Sequence, residues 1–136
     1  MARCFTSPCY NTNARRIAGI LTDTYNAVLS DSGLNTAQFC LLRNLDRLGS
    51  GNLTAWAEKT GIERTTMVRD AKVLEARGYI QQLEGRGKVY TLSEKGRATL
   101  ALAMPLWESA QERVRAILGN EDADALLRIG QKLLQL

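Results

Sequence analysis

Residues 61–70, GIERTTMVRD, combine apolar side chains at helical spacing with a concentration of cations and small hydroxyls. A helix turns by about 100° per residue, so Ala71 and Leu74 return to within about 40° of Met67. These three apolar residues predict a narrow buried stripe, and the polar residues fall on the side that the core does not use. The side chains about 130° or more from Met67 are those of Thr65, Arg69 and Lys72.

A helix with this outer face suits the major groove of duplex DNA. The groove admits one helix, arginine pairs with guanine edges, and threonine can contact a base, a thymine methyl group or a phosphate. In helix-turn-helix proteins the first residues of the recognition helix reach the base edges. A cation one turn later, here Lys72, lies closer to the backbone. The residues predicted to contact DNA from this helix are Arg64, Thr65, Thr66, Arg69 and Lys72.

Two short β-rich runs follow this helix. Residues 79–83, YIQQL, and 89–92, VYTL, flank the segment EGRGK at 84–88 and predict a β-hairpin. An arginine at the tip of such a hairpin can enter a narrow minor groove, where negative potential is concentrated. We therefore expect Arg86 and Lys88 to contact DNA. A solvated helix face and an ordinary turn would explain each feature taken singly, but their order favours duplex DNA.

Helical periodicity and capping residues define the elements around this pair. Thr12 or Asn13 is suited to cap a first helix that reaches about Asp31, and Ser93 to cap a long helix through about Leu118. Three helices, a basic helix, a hairpin and two further helices predict a mostly α fold with a small β-hairpin wing, the winged helix-turn-helix. The other predicted helices span about 36–48, 53–60 and 121–135.

The chain has 136 residues, enough for one domain with a real core. Its net charge is +4, and residues 61–97 are the most basic part, with eight basic and five acidic residues. No run of about 18 apolar residues and no secretory signal is visible, so we expect a cytoplasmic protein with no membrane partner. Histidine is absent, which removes imidazole-based triads and histidine metal sites. We therefore expect no enzyme activity, no cofactor and no metal.

The sequence resembles the MarR family of bacterial transcriptional regulators from about residue 15 to residue 136. GLNTAQFCLLRNL at 33–45 is similar to the start of the family's second helix, and AEKTGIERTTMVRDAKVLEARGYI at 57–80 to its turn and recognition helix. EGRGKVYTLSEKG at 84–96 resembles the wing and the Leu-Thr-x-x-Gly start of the fifth helix, with Ser93 in place of threonine. The wing is shorter than usual and carries Glu84 where aspartate is common.

The resemblance implies a homodimer that binds a palindromic operator with two half-sites about 34 Å apart. It implies dimerisation helices at about 12–32 and 98–136, a DNA-binding lobe at about 35–97, and a repressor released by a small aromatic ligand or by cysteine oxidation. From the residues alone, the apolar stripe at 123–134 could instead pack on its own subunit. The alternative function is a winged-helix module that binds protein and not DNA.

The first cysteines supply the oxidation hypothesis. When the segment is aligned on organic-hydroperoxide regulators of this family, the reactive cysteine falls within two positions of Cys9. Tyr25 matches a tyrosine that bonds the reactive sulfur in those proteins, whereas Arg15 stands where a second tyrosine would be expected. A thiol at a helix N-terminus near Arg15 and Arg16 also has the surroundings for a lowered pKa and ready oxidation. The alternative is an incidental cysteine in an N-terminal arm.

The other cysteines have different expected roles. Cys4 could serve as the resolving partner of Cys9, within the arm or across a dimer. The spacing of Cys4 and Cys9 is not a usual zinc spacing, and one chain offers no obvious fourth ligand. Cys40 falls on the apolar second helix, where we expect a small core residue.

Overall fold

The computed structural model describes residues 7–85 and 87–136. Within them it confirms the predicted fold class: six α-helices and a small antiparallel sheet follow one another in the order of a winged helix-turn-helix. The elements are α1 Tyr10–Leu29, a 3-10 turn Ser30–Ser32, α2 Thr36–Leu48, β1 Gly51–Asn52, α3 Leu53–Thr60, α4 Arg64–Ala76, β2 Ile80–Leu83, β3 Val89–Leu92, α5 Glu94–Leu118 and α6 Asn120–Leu133.

The sheet has the order β1-β3-β2, with both neighbours antiparallel to β3. In the hairpin, Ile80 pairs with Leu92 at the base and Leu83 with Val89 near the tip. β1 pairs with β3 through Gly51 and Tyr90. The sequence did not predict β1, because two polar or glycine residues carry no alternating pattern.

The core is centred on Trp56 of α3, whose side chain is fully buried. Its indole N–H donates to the carbonyl oxygen of Leu41 at 2.9 Å, so the buried polar group is satisfied. The indole also packs at a tilt against Tyr90 of β3, with ring centroids 6.1 Å apart. One side chain therefore ties α2, α3 and the wing together.

The beginning of the chain departs from the prediction. α1 starts at Tyr10 with Cys9 as its N-cap and without a side-chain capping bond, so neither Thr12 nor Asn13 caps it. The Asn13 amide instead donates back to the carbonyls of Ser7 at 2.7 Å and Cys9 at 3.0 Å. Threonine and asparagine favour the position before a helix, but here Thr12 and Asn13 lie within the first turn of α1.

Cys40 is exposed, so the expectation of a core residue was wrong. The helix α2 buries Phe39, Leu41, Leu42 and Leu45. Cys40 lies about 160° around the helix from Leu42, on the opposite face. The Asn44 amide donates to its sulfur at 3.5 Å on the outer surface.

The last helix contacts α5 but buries none of its side chains within one chain. Leu127 is 70% exposed and Leu134 is 78% exposed. Packing of this stripe on its own subunit, the alternative from sequence, therefore leaves it largely uncovered. Among the residues that the structure describes, no helix is long and apolar enough to cross a membrane.

Candidate nucleic-acid interface

The helix-turn-helix is formed by α3 and α4. α3 ends at Gly61, which takes a left-handed conformation and donates its N–H to the carbonyl of Ala57. Three residues later α4 begins at Arg64. The side chains that α4 buries are Met67, Ala71 and Leu74, the stripe that the sequence predicts.

The opposite face of α4 is open to solvent. Arg64, Thr65, Arg69 and Lys72 are exposed and Thr66 is half-buried. Within residues 7–85 and 87–136, no acidic side chain forms an ion pair with these three cations. They therefore remain available to an anionic phosphate or to the hydrogen-bond acceptors of a guanine edge.

The wing lies directly beside α4. Strand β2 packs against the helix, and the Gln82 amide donates to the carboxylate of Glu75 on α4 at 3.0 Å. At the tip, Gly85 and Gly87 have φ angles of 141° and 82°, which residues with a side chain rarely adopt. Lys88 is exposed. Arg86, predicted to contact DNA, lies outside the described residues.

Cys9 is exposed at the start of α1. Hydrogen bonds from the Thr12 side chain and backbone, and from the Asn11 backbone, lower the pKa of its thiol despite a small opposing effect of burial. The sequence had suggested the helix N-terminus together with Arg15 and Arg16 as the cause; the first turn of the helix lowers the pKa, and the arginines are not among the causes. Cys4, the suggested resolving partner, lies outside the described residues.

Tyr25 does not meet Cys9 within one chain. It follows Cys9 by sixteen positions, which is about 24 Å along a helix. Its hydroxyl donates to the side-chain oxygen of Gln111 on α5, and burial raises the pKa of the phenol. A contact between Tyr25 and Cys9 would therefore have to come from a second copy of the chain.

A cavity of about 360 Å³ lies among α1, α5 and α6. Trp107 forms part of its wall. The indole stacks on Phe39 of α2, with ring centroids 5.8 Å apart. The Arg43 guanidinium lies over the indole, 4.3 Å from the ring centroid. The cavity wall also includes Tyr25 and Gln111. The sequence did not single out this cavity, because its apolar lining is indistinguishable from ordinary core positions.

Metal ligands do not come together in the described part of the chain. No group of three or more cysteine, aspartate or glutamate side chains there is arranged to hold a metal ion. Among the described residues, an ion pair joins Arg115 and Asp124 at 3.1 Å.

No family model and no curated protein matches the chain. Solved structures do. The transcriptional regulator MosR of M. tuberculosis, in complex with DNA, is 31% identical, with 93% of this chain and 97% of that chain covered and a TM-score of 0.80. The transcriptional repressor CouR, bound to p-coumaroyl-CoA, is 28% identical, with 93% and 91% covered and a TM-score of 0.86. The oxidised form of MarR from E. coli, at 16% identity, 95% and 96% coverage and a TM-score of 0.74, shares the fold.

Proposed function

Since the chain belongs to the MarR family of transcriptional regulators, we propose that it acts as a homodimeric repressor that recognises a palindromic DNA operator. In this proposal α4 enters the major groove and the wing reaches the adjacent minor groove. The observation that carries it is the exposed cationic face of α4, which no acidic side chain of residues 7–85 and 87–136 pairs with, beside a glycine-tipped hairpin. The relatives MosR and CouR are each solved with DNA, which supports the same docking.

The contacts divide by role. Arg64, Thr65, Thr66 and Arg69 lie on the first half of α4 and would meet base edges, whereas Lys72 lies a turn further on and would meet phosphate. Arg86 and Lys88 would contact the minor groove and its flanking phosphates. The positive end of α4 adds to the attraction for phosphate.

The dimer would be formed by the helices outside the DNA-binding lobe. Residues of about 12–32 and 98–136 would pair between two copies, leaving about 35–97 to bind DNA. The support is the apolar surface that one chain leaves open on α5 and α6. Its most exposed members include Ile117, Leu127, Leu133 and Leu134.

A salt titration of wing variants tests this proposal. The probe is a duplex of about 24 base pairs, selected from a random library by the parent protein and long enough for two half-sites one turn apart. A dimer carries two wings, so Arg86→Ala should remove two backbone contacts and reduce the slope of log affinity against log salt by about 1.8. Lys88→Ala should act in the same direction.

The matched control is Lys132→Ala, which removes an exposed cation from α6, outside the lobe and about 140° around the helix from Leu127. It should leave both affinity and slope unchanged. If both wing variants behave like this control, the wing does not bind DNA and the proposed docking is wrong.

Oxidation of Cys9 is one proposed way to release the operator. The supporting observation is an exposed thiol whose pKa is lowered by the first turn of α1. Attack of its thiolate on an organic hydroperoxide would form a sulfenic acid and release the alcohol. The helix α1 belongs to the proposed dimer interface. A sulfenic acid at its start would therefore change how the two subunits pack against each other.

Thr12 provides the test of this reactivity. In a protein that keeps Cys9 as its only cysteine, Thr12→Val removes the hydroxyl that contributes most to lowering the pKa of the thiol. The pH profile of alkylation by iodoacetamide should therefore move to higher pH, and the rate at neutral pH should fall. Thr12→Ser, which keeps a hydroxyl, is the control. An identical profile in the valine and serine variants would remove this explanation of Cys9 reactivity.

A small aromatic ligand is the second proposed way to release the operator. The cavity of about 360 Å³ has the volume for one aromatic ring system, and Trp107 offers it an indole face. CouR was solved with p-coumaroyl-CoA, which supports an aromatic ligand as the class of effector. Trp107 stacks on α2, so a ligand in the cavity would touch a residue in contact with the DNA-binding lobe.

A further inference from the structure

The end of α4, the base of the wing and the first turn of α5 meet in one hydrogen-bonded junction. The Ser93 backbone N–H donates to the carbonyl of Tyr79 at 3.0 Å, and the Ser93 hydroxyl donates to the carbonyl of Gly78. The same hydroxyl accepts a bond from the Gly96 backbone N–H at 3.0 Å. Ser93 therefore caps α5 and holds the other end of the hairpin at the same time.

Gly96 allows the first turn of α5 to lie directly against the base of the wing, because it has no side chain. It is buried on the first turn of α5, and a Cβ atom there would lie 2.0 Å from the carbonyl oxygen of Tyr79. Tyr79 is itself held in place, because its N–H donates to the carbonyl of Leu74 on α4 at 3.0 Å. Any side chain at Gly96 would therefore push the base of the wing away from α5 while its other bonds hold it to α4.

Lys95 adds a second connection from α5 to α4. Its ammonium group donates to the carbonyl of Arg77, the C-cap of α4, at 2.7 Å. The same group lies 5.0 Å from the centroid of the Tyr79 ring. The Lys95 ammonium group thus satisfies a terminal carbonyl of the recognition helix. Its positive charge also interacts favourably with the negative end of the helix dipole.

We propose that Ser93, Lys95 and Gly96 are positioning residues for DNA binding. They fix the angle between α4 and the wing so that both can reach one duplex, although none of the three needs to touch DNA. The inference rests on the proposed function. Each strand of the wing has four residues, so the tip lies about 13 Å from the junction and a shift at the base is transmitted to it.

A double-mutant cycle tests the proposal on the selected duplex of about 24 base pairs. In the parent, Arg86→Ala should weaken binding by about tenfold and lower the salt slope. Gly96→Ala should weaken binding by a similar factor and lower the slope in the same way, because the wing no longer reaches its groove. Adding Arg86→Ala to Gly96→Ala should then change affinity by no more than about twofold.

Two controls separate positioning from loss of stability. Leu29→Ala opens a hole in the core at the end of α1 without removing a hydrogen bond of Ser93, Lys95 or Gly96, and Arg86→Ala should keep its full effect in that background. Ser93→Thr retains the hydroxyl and should bind like the parent, whereas Ser93→Ala should follow Gly96→Ala. If Gly96→Ala fails to fold, the comparison of Ser93→Ala with Ser93→Thr still tests the positioning role.

The outcomes distinguish the proposed contact of the wing with DNA from the proposed positioning role of the junction. If Arg86→Ala has no effect in the parent, the proposed wing contact fails, and the inference fails with it. If Arg86→Ala acts in the parent and acts equally strongly in the Gly96→Ala and Ser93→Ala proteins, the wing is still in place, and the positioning role alone is overturned.

Discussion

Arg69→Ala should lose most of the operator affinity. Arg69 is exposed on the outer face of α4 and forms no ion pair within the described residues. A bidentate arginine–guanine contact contributes about 1–3 kcal/mol of discrimination, and a dimer makes it twice. The variant should therefore bind roughly 30-fold to 10⁴-fold more weakly.

The base preference at one position of each half-site should relax as well. Arg69→Lys keeps the charge but loses the planar pair of donors, so it should recover phosphate attraction without recovering the preference. Lys72→Ala should weaken all duplexes nearly uniformly. Affinities for the selected duplex and for single-base variants of it measure these effects, and an unaltered preference in Arg69→Ala would remove this residue from base recognition.

Leu127→Glu should convert the dimer into monomers. Leu127 lies on the apolar face of α6 and is 70% exposed in one chain. A dimer that covers this face would have to bury a carboxylate from each copy without a partner, which costs several kcal/mol. A monomer reaches only one half-site, so operator affinity should fall by at least about 100-fold at the same protein concentration.

Sedimentation equilibrium measures the association directly. The matched control is Lys132→Glu, which places the same carboxylate on α6 about 140° around the helix from Leu127. This control should remain a dimer. A dimeric Leu127→Glu protein with parental operator affinity would contradict the proposed role of α6.

Much of the proposed DNA-binding surface could be predicted from sequence because it depends on local periodicity. The spacing of Met67, Ala71 and Leu74 is sufficient to orient α4, and the predicted helix cap at Ser93 is confirmed by its bond from the Gly96 N–H at 3.0 Å. The hairpin followed from two short β-rich runs around a glycine-containing turn. The stripe and the cap are set by residues three or four positions apart, and the hairpin joins two runs that follow each other in the chain, with Leu83 paired to Val89.

The features that the sequence did not predict depend on distant parts of the chain. β1 exists because Gly51 and Asn52 reach the edge of β3, and the lack of space at Gly96 is set by a carbonyl seventeen positions earlier. Cys40 was misplaced because it was assigned from its residue type, although the apolar residues around it define a buried side of α2 that lies about 160° away at Leu42. The cause of the lowered pKa of Cys9 required the position of the Thr12 hydroxyl.

A crystal structure of the dimer on its selected duplex tests most directly whether α4 and the wing bind one double helix together. The proposed docking predicts Arg69 against base edges in the major groove and residues 84–88 of the same subunit in the neighbouring minor groove. The two copies of α4 should lie about 34 Å apart. A duplex held on another face of the protein, with the outer side of α4 open to solvent, would contradict it.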